Sequence, residues 1–228
     1  MHVAQNVAQG VRLKRMKRDR AKVAIPPKAA LKALLRAAQD TAEPMALPLV
    51  SLAIFTGLRA SELRGLAWAA IDLKSATVTV ERRADAGGVI GPPKSAAGYR
   101  TIPLPPATVS ALRAWKLACP PSAANLVFPS VGRHAKGGGK PMSNQYMTHN
   151  VLRPVLKAAK LEGNGYGLHD LRHAAASLWI EQRVPPKRVQ GWMGHSSIQV
   201  TFDTYGHLFE QVDQDAAVAS AIEAELTA

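Results

Sequence analysis

Apolar side chains recur at helical spacing along most of the chain. Residues 31–38 repeat them every three or four positions after a pair of prolines, and a second apolar stretch covers residues 44–57. This spacing predicts amphipathic helices, and Gly57 is a residue type that commonly ends a helix. Residues 61–63 begin the next helix, so Arg59 is predicted to lie in a tight turn between two helices.

One stretch alternates polar and apolar residues instead. Residues 76–80 read Ala-Thr-Val-Thr-Val, a Gly- and Pro-rich turn covers residues 87–93, and residues 99–104 form the returning strand. This pattern predicts an antiparallel pair, with Lys94 where the turn re-enters the second strand. Helical spacing then resumes, and helices are predicted after residue 106 and near residues 143–160, 170–182, 186–193, 197–205 and 214–226. The predicted fold class is mostly α (α+β), with one small antiparallel β-sheet.

Composition excludes several classes of protein. The 228 residues are 47% hydrophobic, which is typical of a globular chain. No apolar run approaches the roughly 20 residues of a membrane span, and the N-terminus lacks the apolar core of a signal peptide. Cys119 has no second cysteine for an intramolecular disulfide, and a Cys/His zinc cluster is unsupported. We therefore expect a cytoplasmic protein that makes no membrane contact.

The net charge of +13 favours a polyanionic partner. Residues 1–22 hold seven Lys or Arg and one acidic residue, whereas residues 23–202 hold 22 Lys or Arg and nine acidic residues. Residues 203–228 hold six acidic residues and no Lys or Arg. This distribution predicts a basic linker or arm over residues 1–24 and a folded domain over residues 25–228. The acidic tail is expected to contact protein rather than DNA.

Two arginines and two histidines are suited to holding a phosphodiester. Arginine donates two parallel hydrogen bonds to phosphate oxygens and keeps its charge, and Arg59 and Arg172 are the candidates. His169 lies three residues before Arg172, so a helix places both side chains on one face. His195 follows a glycine, which permits close approach to a ligand.

A tyrosine and a lysine complete the predicted chemistry. Tyr205 can attack phosphorus and form an ester that preserves the bond energy for the strand that rejoins. Its phenol needs a base, for which His169 is the first candidate. When a DNA strand is cleaved, the 5′-oxygen of the deoxyribose departs and needs a proton, which Lys94 can supply. Each residue alone also has an ordinary structural role. Tyr205 could belong to the core, His169 could cap a helix, and His173 could orient the site or simply pack.

Four segments together resemble the catalytic boxes of the tyrosine recombinase, or phage integrase, family. They are residues 56–63 (Thr-Gly-Leu-Arg-Ala-Ser-Glu-Leu), 94–104 (the lysine β-turn), 169–173 (His-Asp-Leu-Arg-His) and 193–205 (Met-Gly-His-Ser-Ser through Thr-Tyr). The likeness runs from about residue 25 to residue 210, with order and spacing in register. It implies the catalytic-domain fold of that family.

The resemblance implies a site-specific DNA recombinase that breaks and rejoins strands without a metal or other cofactor. Two arginines clamp the phosphate, a lysine is the general acid, and a tyrosine forms a 3′-phosphotyrosyl link. In chain order the implied residues are Arg59 (clamp), Lys94 (acid), His169 (proton transfer at the nucleophile), Arg172 (clamp), His195 (second phosphate donor) and Tyr205 (nucleophile). Glu62, three places after the first arginine, is expected to be structural.

The resemblance also implies partners. Double-stranded DNA is expected, with a homotetramer on DNA, and the protein is expected to be bacterial or phage-encoded and to lie at the nucleoid. A monomer is compatible with the DNA-free state, whose oligomeric state the sequence leaves open. The acidic tail, residues 203–228, carries an apolar stripe that includes Val218 and Ile222. It either exchanges between neighbouring protomers or packs on its own domain. Family members usually begin with a helical core-binding domain. This chain starts at what resembles the connecting linker, so it is either a catalytic-domain fragment or a protein that lacks that half. Two alternatives stay open: a type IB topoisomerase-like nicking-closing enzyme, and a non-catalytic DNA-binding regulator that retains the fold.

Overall fold

A computed structural model of the protein describes residues 25–130, 139–209, 220 and 222–226. The helices are α1 (Lys28–Asp40), α2 (Ala46–Thr56), α3 (Ala60–Gly65), α4 (Pro106–Ala118), α5 (Asn144–Tyr146), α6 (Arg153–Ala158), α7 (Leu168–Glu181), α8 (Pro186–Met193) and α9 (Ile198–Phe209). A π-helical turn, Met147–Leu152, joins α5 to α6. The strands are β1 (Ile71–Asp72), β2 (Thr77–Val80), β3 (Arg83–Ala84), β4 (Ile90–Gly91) and β5 (Arg100–Pro103). The predicted fold class is confirmed.

Helix α2 lies at the centre of the hydrophobic core. It is apolar on every side rather than on one face, which is typical of a helix surrounded by protein. Leu49, Leu52 and Ala53 are fully buried, and α1, α4 and α7 pack around the helix. Gly57 ends α2 in the left-handed conformation, with φ of 58°. The chain therefore turns at once into α3, as predicted, and α3 and α7 both lie against this core.

The main sheet has the strand order β1-β2-β5, and both of its pairs are antiparallel. The predicted pairing of residues 76–80 with residues 99–104 is confirmed, and Val80 lies opposite Arg100. Alternate residues of a strand point to the same face, and the face that carries Val80 of β2 and Ile102 of β5 is buried. The sheet thus covers one side of the helical core and brings β5 towards α8.

The connection between β2 and β5 is more structured than the sequence predicted. Strands β3 and β4 form a second, two-stranded sheet within it, and a 3₁₀ turn, Ala96–Gly98, precedes β5. Lys94 therefore lies on a bend before that turn, and the prediction that it lies where the Gly- and Pro-rich turn re-enters the second strand is corrected. Gly98 permits the tight turn, because a Cβ there would lie 2.3 Å from Cβ of Pro93.

The helices after the sheet begin and end close to the predicted residues. The basic arm over residues 1–24 lies outside the described residues, and so does most of the predicted tail helix. Residues 222–226 are helical and exposed. None of the helices in the described ranges is both long and apolar enough to cross a membrane.

Candidate active site

The two predicted clamp arginines, Arg59 and Arg172, meet at the C-terminal end of α8. Gly194 ends that helix in the left-handed conformation, and its carbonyl accepts a hydrogen bond from Nη2 of Arg59 at 2.9 Å. The carbonyl of Met193 accepts from Nη2 of Arg172, whose Nη1 donates to the carbonyl of Gly57. The carbonyl end of a helix carries partial negative charge, so it stabilises two cations held close together.

The two arginines differ in their exposure. Arg172 is 3% exposed, whereas the side chain of Arg59 is 39% exposed. Burial, with the charge of Arg59 second, lowers the pKa of Arg172 to about 9, so its guanidinium stays charged at neutral pH. Each guanidinium has five N–H donors, and the bonds to carbonyl groups leave donors that a phosphate oxygen could accept from.

A buried carboxylate, Glu62, joins Arg59 to a third arginine. Its Oε1 and Oε2 accept from Nη1 and Nη2 of Arg100 at 3.0 and 2.8 Å. The same carboxylate accepts from Nη1 of Arg59 at 2.9 Å and from the backbone N–H of Arg59 at 2.8 Å. Burial alone would raise the pKa of Glu62, but hydrogen bonds and charge from Arg100, with smaller contributions from Arg59, lower it to about 2. Glu62 is therefore ionised and holds two arginines.

Arg100 is a site-forming residue that the sequence pattern did not single out. Its side chain is nearly buried, and its Nε donates to the carbonyl of Trp192 at 2.6 Å. A signal for it does exist in the sequence. Arg100 is in phase with the buried Ile102 on β5, and an arginine on the inward face of a strand requires a buried partner.

Tyr205 is fully buried on α9, and its hydroxyl oxygen lies 2.7 Å from Nδ1 of His173. The ring of His195 lies 10° from parallel to the tyrosine ring, with 6.4 Å between centroids. Burial raises the pKa of Tyr205 to about 12, although the charges of Arg172 and Arg59 oppose the rise. The phenol is therefore protonated at neutral pH, and any attack by its oxygen requires a proton acceptor.

The histidine that contacts the Tyr205 hydroxyl is His173 rather than His169, the sequence-based candidate. His169 is exposed, and its ring meets that of His173 edge-on, with 4.5 Å between centroids. Burial, with the charge of His169 second, lowers the pKa of His173 to about 4. Its ring is neutral at pH 7, and a neutral imidazole keeps one nitrogen free of a proton. In the tautomer that carries its proton on Nε2, His173 can therefore accept the phenolic proton at Nδ1, with His169 as its neighbour.

His195 lies at the same helix end as the arginines. Its Nδ1 is 3.0 Å from the hydroxyl of Thr201, which orients the ring. Burial lowers the pKa of His195 to about 4, and the charge of Arg172 acts in the same direction. Among the residues that the structure describes, no three His, Cys, Asp or Glu side chains are grouped as a metal site would require.

Lys94 is exposed on its bend, and the turn that follows it reaches the arginine cluster. The carbonyl of Gly98 accepts from Nη1 of Arg100 at 3.1 Å. A Cβ placed on Gly194 would lie 3.1 Å from the carbonyl oxygen of Ala97, so the turn lies against the end of α8. A cleft of about 590 Å³ opens between this turn, β5 and α8. Residues 94–98, which we name the lysine-bearing turn, are thus anchored beside the predicted phosphate site.

Residues 27–211 match the family model described as the phage integrase family. That range includes every predicted site residue. The chain belongs to the phage integrase family. The resemblance carried by the four sequence segments is therefore confirmed, and the fold described above is that of a phage integrase family catalytic domain.

Individual members of the family are similar to this chain at low identity. The tyrosine recombinase XerC-like protein of Caldanaerobacter subterraneus subsp. tengcongensis is 28% identical over 185 residues, covering 72% of this chain and 46% of that protein. Prophage integrase IntR of Escherichia coli K12 is 25% identical over 226 residues, covering 92% of this chain and 54% of that protein. The chain thus spans about half the length of these relatives.

A solved structure shares the fold. The Tn1549 transposon integrase in complex with circular intermediate DNA superposes with a TM-score of 0.73 at 22% identity, and covers 91% of this chain and 69% of that one. At this identity the likeness concerns the fold.

For this family member we predict that acid destabilises the fold in two stages. His173 and His195 have pKa values of about 4, below their ordinary 6.5. The unfolded chain therefore binds more protons, and stability falls as the pH drops from 6.5 to 4. Glu62 has a pKa of about 2 rather than 4.5. A further loss, on the order of 3 kcal/mol, therefore follows between pH 4.5 and 2. Urea unfolding at a series of pH values measures both stages.

Two glutamate variants assign the lower stage. Glu62→Gln should flatten the fall in unfolding free energy between pH 4.5 and 2, because the variant has no carboxylate to protonate there. Glu162→Gln, at an exposed position, should keep the wild-type profile. An unchanged slope in Glu62→Gln would contradict the assignment.

Proposed function

We propose that the chain is the catalytic domain of a site-specific DNA recombinase, which cleaves and rejoins strands through a 3′-phosphotyrosyl intermediate on Tyr205. The observation that carries this proposal is the environment of the buried Tyr205 phenol. Its hydroxyl lies 2.7 Å from a histidine that is neutral at pH 7, and the charges of two arginines reach it. A tyrosine needed only for packing would not require this set of neighbours.

In the cleavage step, the Tyr205 oxygen attacks phosphorus as its proton passes to His173, with His169 assisting. The new O–P bond leaves the phosphate joined to the 3′-strand end. The bond from phosphorus to the 5′-oxygen breaks, and that oxygen takes a proton from Lys94. In rejoining, a 5′-hydroxyl attacks the phosphotyrosine, and the proton transfers are reversed. The phosphotyrosyl ester preserves the energy of the broken phosphodiester bond for the rejoining step.

In this scheme the two clamp arginines, Arg59 and Arg172, supply most of the rate enhancement. Negative charge grows on the non-bridging oxygens of phosphorus in the transition state, and fixed donors stabilise it there. Arg59 and Arg172 are already held side by side by the carbonyl groups at the end of α8. His195 is proposed as the further donor. Arginines that are placed before DNA binds need little reorganisation during the reaction.

Double-stranded DNA is the proposed substrate. The Tn1549 transposon integrase was solved with DNA, and the net charge of +13 suits a polyanion. We propose that residues 25–228 form the catalytic unit behind a linker over residues 1–24, and that four copies act together on DNA in the bacterial cytoplasm, at the nucleoid.

Trapping on nicked DNA tests the proposal. Nicked duplexes that carry candidate sites from the DNA flanking its gene lose a short fragment after cleavage, so the adduct cannot rejoin. Wild-type protein in EDTA should form a covalent adduct that survives denaturing electrophoresis, with the phosphate mapping to Tyr205 by mass spectrometry. DNA binding without any adduct would favour a non-catalytic regulator. Relaxation of supercoiled plasmid without site preference would favour a nicking-closing enzyme.

We predict that Lys94→Ala slows cleavage by about 100-fold, the usual contribution of a general acid. A substrate with sulfur at the 5′-bridging position should restore the rate, because a thiolate leaves without a proton. Lys74→Ala, at an exposed position on the turn before β2, is the matched control and should cleave both substrates like the wild type. A Lys94→Ala rate that sulfur does not restore would remove this lysine from the acid role.

A further inference from the structure

Arg100 is a buried cation that contacts three separate elements. Its Nη1 and Nη2 form a fork on the carboxylate of Glu62 in α3, at 3.0 and 2.8 Å. Its Nε donates to the carbonyl of Trp192 in α8 at 2.6 Å. Its Nη1 also donates to the carbonyl of Gly98, in the turn after Lys94, at 3.1 Å. One planar side chain thus fixes the relative positions of all three elements.

Two of these contacts lead directly to residues of the proposed site. Glu62 holds Arg59 through its side chain and its backbone N–H, at 2.9 and 2.8 Å. The carboxylate therefore passes the position of Arg100 to the exposed clamp arginine. Trp192 belongs to the last turn of α8. The next two residues, Met193 and Gly194, accept hydrogen bonds from the two clamp arginines through their carbonyl groups.

The backbone before His195 lies directly against the Arg100 guanidinium. A Cβ on Gly194 would lie 2.9 Å from Nη1 of Arg100 and 3.2 Å from its Cζ. Glycine is therefore needed at this position for two reasons: its φ of 62° and this close approach. Arg100 supports the chain segment that delivers His195.

We propose that Arg100 is a positioning residue for strand cleavage, which sets Arg59 and His195 at the scissile phosphate by locking α3, the end of α8 and the lysine-bearing turn together. This inference rests on the proposed function. Arg100 is 9% exposed and bonded on several sides within the protein, so it acts through these neighbours rather than on DNA. Arginine is required because a lysine ammonium cannot fork onto a carboxylate and reach two carbonyl groups as well.

Single-turnover cleavage of nicked DNA by Arg100→Met tests the inference. At saturating DNA the rate should fall by about 100-fold, the usual consequence of displacing reacting groups by about 1 Å. The Kd for DNA should change by less than about twofold, because the exposed phosphate contacts remain. The 5′-bridging sulfur substrate should restore only a small part of the rate, since the loss of Arg100 displaces the clamp as well as the turn that follows Lys94. This separates Arg100→Met from Lys94→Ala.

The control is Arg82→Met. Arg82 also bridges two backbone carbonyls, those of Gly65 and Ala124, at 2.6 and 2.7 Å. Its loss should lower the thermal midpoint and leave the cleavage rate of folded protein unchanged. A purely structural Arg100 would behave in the same way.

A double-substitution cycle tests the route through Glu62. If Arg100 acts through this carboxylate, Glu62→Gln should slow the wild type strongly and should slow Arg100→Met by much less. Arg100→Lys carries the test if Arg100→Met does not fold, with an expected fall of roughly tenfold.

The outcomes separate the inference from the function on which it rests. Absence of an adduct with wild-type protein on every candidate site would overturn the proposed function. An adduct with the wild type, together with an Arg100→Met or Arg100→Lys rate within about threefold of it, would overturn the positioning role alone. Additive effects in the cycle would likewise overturn the route through Glu62.

Discussion

The Tyr205→Phe protein is expected to form no covalent adduct with nicked DNA, while it binds the same DNA with wild-type affinity. The substitution removes the oxygen that is proposed to attack phosphorus. Because Tyr205 is fully buried, a phenylalanine of nearly the same shape fills the same space, and the exposed surface that meets DNA should stay unchanged. Adduct formation on a denaturing gel and a parallel binding titration measure the two properties separately.

Stability gives a second readout of this substitution. The hydroxyl oxygen lies 2.7 Å from Nδ1 of His173, and a buried polar atom that loses its partner costs about 1–3 kcal/mol. Urea unfolding of Tyr205→Phe should therefore show a modest loss. Tyr166→Phe, at a half-buried position against the core, is the control and should form the adduct normally. An adduct formed by Tyr205→Phe would place the nucleophile elsewhere.

Arg172→Lys is expected to lower both the cleavage rate and the stability. Loss of one fixed donor to a developing oxyanion costs about 10²–10³ in rate, and lysine retains the charge but not the fork. The guanidinium also donates to the buried carbonyls of Gly57 and Met193. Leaving one of them without a partner should lower the free energy of unfolding by about 1–3 kcal/mol. Single-turnover cleavage and urea unfolding measure the two losses.

The matched control for this arginine is Arg113→Lys. Arg113 lies on α4 and donates to the carbonyl of Leu73 at 3.0 Å from an exposed position. We expect it to change neither rate nor stability appreciably, because an exposed carbonyl is satisfied by water. Wild-type cleavage by Arg172→Lys would show that charge alone, without the forked geometry, is sufficient at this position.

Local sequence patterns predicted most of the secondary structure. Apolar spacing located α2 and the helices after residue 143, and strict alternation located β2 and β5, because these signals depend on neighbours a few residues apart. The region between the two strands was harder. Strands β3 and β4 have two residues each, too few to produce a periodic signal. Lys94 was therefore predicted where a single turn re-enters the second strand, rather than on a bend between two further turns.

The histidine that contacts Tyr205 could not be identified from the sequence pattern. His169 and His173 lie four residues apart on α7 and share a face, so helical spacing cannot tell which of them meets the phenol. The packing of α9 against α7 decides it, and that packing places His173 on the hydroxyl. The role of each histidine stays a prediction.

The sequence by itself determined the helical class, the small sheet, the family and the residue types of the site, because each is written in short segments with fixed spacing. Only the tertiary structure decided which of these residues touch. Glu62 meets Arg100 across 38 positions, and Arg59 meets Gly194 across 135. Such contacts depend on how distant helices and strands pack, and no local periodicity encodes that. The gathering of three arginines at the end of α8 is therefore a property of the folded chain.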